Sequence, residues 1–378
     1  MKINKPRHPI VIVGAGLAGL AAADTLRELG VPHLVLERFS KPGGRLSSRR
    51  GEGWVADHGA QFIKIADHIL MELIRRVGME RERVTVQGSI LRLKADGSIE
   101  TPRNSGMDPD RVCIDEGFGS FMGHLANSVN VQYDRPVGAI RWDNDDKTFW
   151  WQKEGNVFWF EDEAGEALRD PVTHDLVLGS GVILATTATA ARAIAEKSPS
   201  IGGLATLLKQ VRYTSTFTGI YKLPRQKHGF YALQGDRGSL ISWLGFEENK
   251  NPRRIDEEFS LMVVQANPSF SAELMSVDDL RAMTLLYEQA RRAVPALPEY
   301  PTTQTFKRWN VSQLETAPLA RPENGWPINP PQAPFALAGD YLRGARAEDA
   351  AQSGVEAAYE IVKKLPKRHA FLGLELKG

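Results

Sequence analysis

A single cysteine, Cys113, among 378 residues rules out an internal disulfide framework and any multi-cysteine zinc or iron–sulfur site. Such sparing use points to a reducing compartment. Net charge is also scarce: 47 Lys+Arg stand against 46 Asp+Glu, leaving +1, too little to steer nucleic acid or an acidic membrane. No uncharged stretch reaches the ~20 residues that a bilayer span requires. The N-terminal one, Ile10–Ala23, has fourteen. Lys2, Lys5 and Arg7 ahead of it imitate a secretory leader. Three glycines interrupt the run, however, and the expectation is a soluble cytoplasmic protein. The eight histidines are scattered, with no pair spaced for one helix face, so no metal site is expected. Charged residues at 25% and hydrophobic ones at 42% are ordinary for a globular chain, and the length suggests two or three domains.

Glycine is the mild excess. Its 34 residues make about 9% of the chain against a typical ~7%, and several stand in one pattern. Ile10–Val13 reads as a short buried strand. Gly14-Ala15-Gly16-Leu17-Ala18-Gly19 follows and leads into a helix over Leu20–Leu29. Gly30 is placed for a left-handed stop, and His33–Leu36 reads as a second strand ending at Glu37. In such a unit Gly14 permits the tight turn, Gly16 admits a pyrophosphate to the backbone, and Gly19 lets helix and strand pack closely. Free N–H groups and the positive helix end then face the phosphates. Glu37, 18 residues after Gly19, is placed to accept hydrogen bonds from both ribose hydroxyls. An acid here disfavours a 2′-phosphate, so FAD or NAD is expected, not NADP.

Further motifs separate FAD from NAD. Glu37-Arg38 runs into Gly43-Gly44-Arg45-Leu46-Ser47-Ser48, and then Asp57-His58-Gly59-Ala60-Gln61-Phe62. Near the C-terminus Phe335–Ala338 leads to Gly339-Asp340-Tyr341 and Gly344-Ala345-Arg346-Ala347-Glu348-Asp349-Ala350. Together these segments resemble the FAD-dependent amine oxidase superfamily, most closely its renalase-like branch. The resemblance implies a flavin-binding role for Arg45 at the phosphates and for Gly59, Ala60, Gln61 and Phe62 beneath the isoalloxazine. It further implies Asp340 at the ribityl chain or a phosphate-bound water, and the backbone around Ala347, Glu348 and Ala350 at the pyrimidine edge. Looser matches place Val137 at the adenine and Thr186 where the chain returns to the flavin domain. The renalase pattern has glycine where Asp349 stands and usually tryptophan where Tyr341 stands. A carboxylate at Asp349 would oppose flavin reduction unless it points elsewhere.

The fold class expected is α/β: a discontinuous Rossmann-like FAD-binding domain with an inserted α+β substrate domain. The first is assigned residues 1–76, 115–198 and 332–378, the second 77–114 and 199–331. Arg141–Asp170 reads as a β-meander whose Trp142, Trp150, Trp151 and Trp159 pack a small sheet. Strands are expected over Tyr213–Leu223, Ser239–Phe246 and Leu261–Gln265. A helix over Asp278–Val294 should bury Leu280, Met283, Tyr287 and Ala290.

With flavin bound non-covalently, the cofactor carries the chemistry and the protein orients the donor. Nothing in the chain suggests a Ser/His/Asp or Cys/His constellation. The candidate substrate-side residues are Gln61, Phe62, Lys307, Arg308, Trp309 and Tyr341. Phe306-Lys307-Arg308-Trp309 resembles the renalase-branch His-Arg-Trp with Lys307 in place of the histidine. Arg308 and Trp309 are placed to hold an anionic or aromatic substrate. Tyr221 and Trp243 read better as core of the inserted sheet, and His58 as a hydrogen-bonded structural histidine. The resemblance implies hydride transfer from a small-molecule donor to flavin N5, as in oxidation of misreduced dihydronicotinamide nucleotides with O2 as electron acceptor. Amine oxidation and polyene desaturation are rival reactions. A flavin-free module binding prenylated proteins, like the Rab GDP dissociation inhibitor, is the rival from another class. No nucleic-acid partner is expected, and the oligomeric state is open.

Overall fold

The computed structural model describes residues 6, 8–102, 110–143, 156–255 and 258–365. Lys2, Lys5, Arg7, Trp150 and Trp151 lie outside that set. Five parallel strands form one sheet in the order Val131–Gln132, His33–Leu36, Ile10–Val13, Gly181–Leu184 and Phe335–Leu337. The first strand explains why this sheet is buried on both faces. Ile10 and Ile12 face one core with the helices Leu17–Glu28 and Ala347–Lys364, while Val11 and Val13 face the other. The second core is closed by a three-stranded antiparallel sheet of Ala139–Asp143, Val157–Glu161 and Leu178–Gly179. Trp142 meets Phe158 edge-on there, ring centroids 4.5 Å apart.

The helix after the glycine turn starts at Leu17, three residues earlier than expected, so Gly19 sits inside its first turn. A Cβ at Gly19 would overlap the Gly14 carbonyl oxygen, and one at Gly354 would overlap the Ala18 carbonyl. These two glycines let the strand, the first helix and the closing helix approach more closely than side chains permit. Gly30, at φ +68°, ends the helix as expected.

A seven-stranded sheet draws its strands from two separated stretches. Its order is Thr303–Trp309, Thr216–Pro224, Phe259–Ala266, Ile241–Phe246, Ala232–Gly235, Ile90–Leu93 and Ile99–Glu100. Phe217, Tyr221 and Leu223 point to one face, against the helices Pro268–Met275 and Asp279–Ala293. The Tyr221 hydroxyl donates to the Met283 carbonyl there, at 2.9 Å. The longer helix is capped by Asp278, whose carboxylate accepts from Arg281 N at 2.9 Å. It buries Met283, Tyr287 and Ala290, but Leu280 is 70% exposed, so the expected apolar face loses its first member. The opposite sheet face carries Thr218, Ile220 and Val263 toward the hairpin Ser48–Asp57. Among the described residues no helix is long and apolar enough to cross a membrane.

Candidate active site

The glycine turn has a distinct geometry at each glycine. Gly14 takes φ +105°, which L side chains rarely adopt. Gly16 caps the first helix with φ −75°, and a Cβ there would meet nothing within 4 Å. No packing constraint therefore demands glycine at 16. The helix also has neither an acidic residue in its first turn nor a side chain capping its start, so Leu17 and Ala18 present open N–H groups beside that space. This is the cradle a dinucleotide phosphate fits. Gly44, at φ +56°, borders it, 3.7 Å from the Gly16 Cα when given a Cβ.

Glu37 does more than its spacing suggested. Its Oε2 accepts from Ala15 N at 2.7 Å and its Oε1 from Phe39 N at 3.0 Å. The carboxylate thus ties the end of the second strand to the glycine turn, and each oxygen keeps a lone pair for a further donor. Burial pushes its pKa up, and the bonds from Ala15 and Phe39 only partly offset this. Arg38 points outward, pairing with Glu163 at 3.1 Å with both side chains half exposed. Val137 is buried just before the three-stranded sheet. The Thr186 methyl lies against the Gly14 turn.

Arg45 and Asp340, 295 positions apart in sequence, meet directly. Arg45 Nη1 donates to Asp340 Oδ2 at 2.6 Å and to the Ser312 carbonyl at 2.9 Å. The Tyr213 hydroxyl donates to the other Asp340 oxygen at 3.0 Å, and the guanidinium lies 5.2 Å from the Tyr213 ring centroid. Tyr213 and Ser312 carry no motif, and their place here was invisible in the sequence. Only Nη1 of Arg45 is engaged among the described residues, which leaves its remaining N–H groups for an anion.

The closing helix begins beside this pair. Ala347 and Ala350 are half-buried in its first turn. The Glu348 carboxylate accepts from Ile69 N and Leu70 N at 3.1 and 3.2 Å, capping the helix His68–Arg76. Asp349 folds back on Arg346, accepting from its backbone N at 3.1 Å and from Nη2 at 3.1 Å. Burial would raise the Asp349 pKa, but Arg346 outweighs it and the net direction is down. The carboxylate is thus paired and used as a cap.

Four substrate-side expectations, Arg308, Tyr341, Phe62 and Gln61, need correction or refinement. On the strand Thr303–Trp309, side chains alternate. Lys307 and Trp309 face the loop His58–Phe62, with Lys307 Nζ 5.3 Å from the Trp309 ring centroid. Arg308 faces the other way. It donates to the Leu274, Met275 and Val277 carbonyls and to Asp279, so it ties the strand to the helical layer and not to a substrate. Tyr341 is fully buried in the second core beneath Gly339 and has no surface to offer a substrate. Phe62 packs on Trp243, centroids 6.1 Å apart. Gln61 closes its own loop, its Nε2 donating to the Asp57 carbonyl at 2.6 Å.

That loop is held at its first two carbonyls. Trp309 Nε1 donates to the His58 carbonyl at 3.2 Å, and Gln265 Nε2 to the Gly59 carbonyl at 3.0 Å. A Cβ at Gly59 would overlap the Arg45 carbonyl, so glycine is required there. Ala60 is half-buried beside it. At the loop's start, Asp57 belongs to a buried quartet with Glu247, Lys250 and Arg254. Lys250 Nζ and Arg254 Nη1 each lie 2.7 Å from Asp57 Oδ2, and Arg254 Nη1 lies 2.7 Å from Glu247 Oε2. All four side chains are fully buried. Burial alone would raise the Asp57 pKa, but Arg254 and Lys250 drive it well below the carboxylate range. The sequence carried no sign of this quartet, since 190 or more positions separate Asp57 from its two cations.

His58 packs against Trp309 with the rings tilted by 33°, centroids 5.3 Å apart. Burial lowers its pKa to about 4 from 6.5; Asp57 opposes the shift while Lys307 and Arg49 add to it. Between those values the unfolded chain binds a proton that the folded chain does not. Stability from this site is therefore complete above about pH 6.5 and falls as pH drops toward 4, by about 3 kcal/mol in all. His58→Phe should flatten the fall of Tm between pH 7 and pH 4. An unchanged acid slope would exclude His58 as its source.

Comparison with known proteins agrees with this geometry. An L-amino-acid oxidase of Daboia russelii is 42% identical over 81 residues, 21% of this chain and 16% of that protein. One of Mus musculus is 36% identical over 86 residues, 22% of this chain and 14% of that protein. The matching segment thus spans under a fifth of these curated relatives. Cyclohexylamine oxidase of Brevibacterium oxydans superposes with a TM-score of 0.68 at 14% identity, covering 95% of this chain and 99% of that one. Putrescine oxidase bound to putrescine gives 0.66 at 13% identity over 95% and 100%. Both show the same fold. The family described as flavin containing amine oxidoreductase matches residues 17–101 and 91–362, nearly the whole chain, and the protein belongs to it.

Proposed function

We propose that the protein is an FAD-dependent oxidoreductase that takes a hydride from a small-molecule donor, with the renalase-like reaction on a misreduced dihydronicotinamide nucleotide as the leading reading. The observation that carries the cofactor assignment is the open space at Gly16, bordered by uncapped helix N–H groups and by Glu37, Gly44 and Arg45. Bound FAD supplies a two-electron acceptor for the hydride that leaves the donor carbon, with the electrons passing on to a second acceptor such as O2. The chain's own residues bind and orient. Leu17 and Ala18 N–H groups take phosphate oxygens. Glu37 takes the ribose hydroxyls through its free lone pairs. Arg45 takes a phosphate oxygen while Asp340, Tyr213 and Ser312 hold it in place. Gly59 and Ala60 offer a flat backbone surface, and Trp309 with the loop His58–Phe62 excludes water beside it.

Amine or amino-acid oxidation is the second reading, supported by the likeness to L-amino-acid oxidases over about a fifth of the chain. The purified protein should be yellow, with absorbance at about 450 nm. Anaerobic mixing with dihydronicotinamide isomers, amines and amino acids should bleach that band with one class only. A colourless protein that takes up no FAD would sink the enzyme reading. Bleaching by amino acids alone would replace the renalase-like reading with the second.

A further inference from the structure

The face of the seven-stranded sheet that meets the loop His58–Phe62 carries one transverse row of polar side chains. Strand registers pair Arg92 with Gln234, Gln234 with Trp243, Trp243 with Gln265, Gln265 with Thr218, and Thr218 with Lys307. Cross-strand partners share a face, so the six side chains form a line with about 4.8 Å between neighbours. The middle of the line is deeply buried and incompletely bonded. Thr218 is 0% exposed with no partner for its Oγ1, and Trp243 is 7% exposed with none for its Nε1. Gln61, 7% exposed in the facing loop, leaves its Oε1 without a partner as well. Leaving buried polar atoms unpaired is costly, and a polar ligand lying along the row would remove that penalty.

The charges along the row have one sign. Lys307 and Arg92 stand at its two ends, and no carboxylate occupies it. Arg49 adds a third cation from the hairpin, its Nη1 donating to the Phe306 carbonyl at 3.3 Å. The acids nearest the loop, Asp57 and Glu247, are neutralised within the buried quartet by Lys250 and Arg254. Lys307 forms no ion pair among the described residues; its ammonium rests over Trp309. A cationic amine would meet only like charge here, whereas an anion would meet a free ammonium at the edge of a buried, under-bonded polar line.

We propose that the donor carries a negatively charged group, a carboxylate or a phosphate, and that Lys307 with the row beside it selects for that charge. This rests on the oxidoreductase reading and narrows its substrate class. Lys307 is a specificity-determining residue, distinct from the cofactor contacts.

Calorimetric titration of the protein as purified, with benzoate, inorganic phosphate and benzylamine, tests this, with flavin absorbance recorded on the same samples. Benzoate or phosphate should bind and benzylamine should bind at least ~10-fold more weakly; Lys307→Met should weaken the anion by ~10-fold or more, and Lys307→Arg should restore it to within ~3-fold. Benzoate binding without phosphate binding would identify the group as a carboxylate; the reverse would identify a phosphate. Tighter binding of benzylamine, no anion binding, or equal anion affinity in Lys307→Met would overturn the proposal. Because the titration reads binding directly, a yellow protein that ignores anions refutes this inference alone. A colourless protein that binds them refutes the oxidoreductase reading and leaves the anion site standing.

Discussion

Asp57→Ala should lower the stability of the protein by about 3–5 kcal/mol, because it leaves a buried cation without compensation. The quartet Asp57, Glu247, Lys250 and Arg254 is neutral as a set, and all four side chains are fully buried. Removing Asp57 leaves two cations facing Glu247 alone. It also strips Phe118 N and the Ser48 hydroxyl of an acceptor, at 3.0 and 2.5 Å. The partner change Lys250→Met leaves the opposite imbalance. In the double variant Asp57→Ala/Lys250→Met, Glu247 and Arg254 remain as a neutral pair. Its loss of stability should therefore be clearly smaller than the sum of the two single losses, an interaction measurable by a double-mutant cycle in Tm or denaturant midpoint. Additive losses would show that the quartet is not one electrostatic unit. Flavin content should fall with Asp57→Ala as well, because the loop that follows Asp57 carries Gly59 and Ala60.

Gly16→Ser and Gly19→Ser should separate cofactor binding from folding. At Gly16 a side chain meets open space, and serine is a favourable helix cap that would bond the first-turn N–H groups itself. The protein should keep or slightly raise its Tm, while bound flavin drops by more than ~10-fold because the same N–H groups and the same space are occupied. At Gly19 the added Cβ would overlap the Gly14 carbonyl, so helix and strand must separate, at a cost of about 1–3 kcal/mol. That variant should lose flavin and stability together. If Gly16→Ser retains full flavin, the cradle is not where the phosphates lie. If Gly19→Ser is as stable as the parent, the close packing seen here is not required.

Two glycines in one hexapeptide thus differ in why they are glycine, and only one of the reasons is local. The turn, the following helix and its stop at Gly30 were legible because each depends on neighbours within a few residues: a β-branched run, a backbone angle, a left-handed end. Glu37 was legible as an acid at the right distance. Its bonds from Ala15 and Phe39 depend on how strand end and turn approach each other, which spacing does not specify. The helix start at Leu17 also came earlier than hydrophobic periodicity indicated, because periodicity does not register a glycine taken into the first turn.

Pairings across long sequence distance set the rest. Arg45 and Asp340 were each recognised in their own motifs, yet that they grip one another, with Tyr213 and Ser312 around them, follows from the last strand lying beside the fourth piece of a parallel sheet. Arg308 and Lys307 are adjacent and equally basic, and the linear reading set Arg308, with Trp309, to hold an anionic or aromatic substrate. Strand alternation sends Arg308 to the helical layer and Lys307 to the face that meets the loop His58–Phe62, and only the sheet's neighbours reveal which face is which. Tyr341 follows Gly-Asp as an aromatic should, but the backbone at Gly339 turns it under the sheet. The sequence by itself determined the nucleotide turn, the α/β class and the candidate flavin motifs, since these are short-range patterns with fixed chemistry. Tertiary structure alone decided the buried quartet beneath the Asp57 loop and the polar row ending at Lys307. Both are assembled across strands far apart in the chain, where burial and register, and not composition, determine which charges are paired and which remain free.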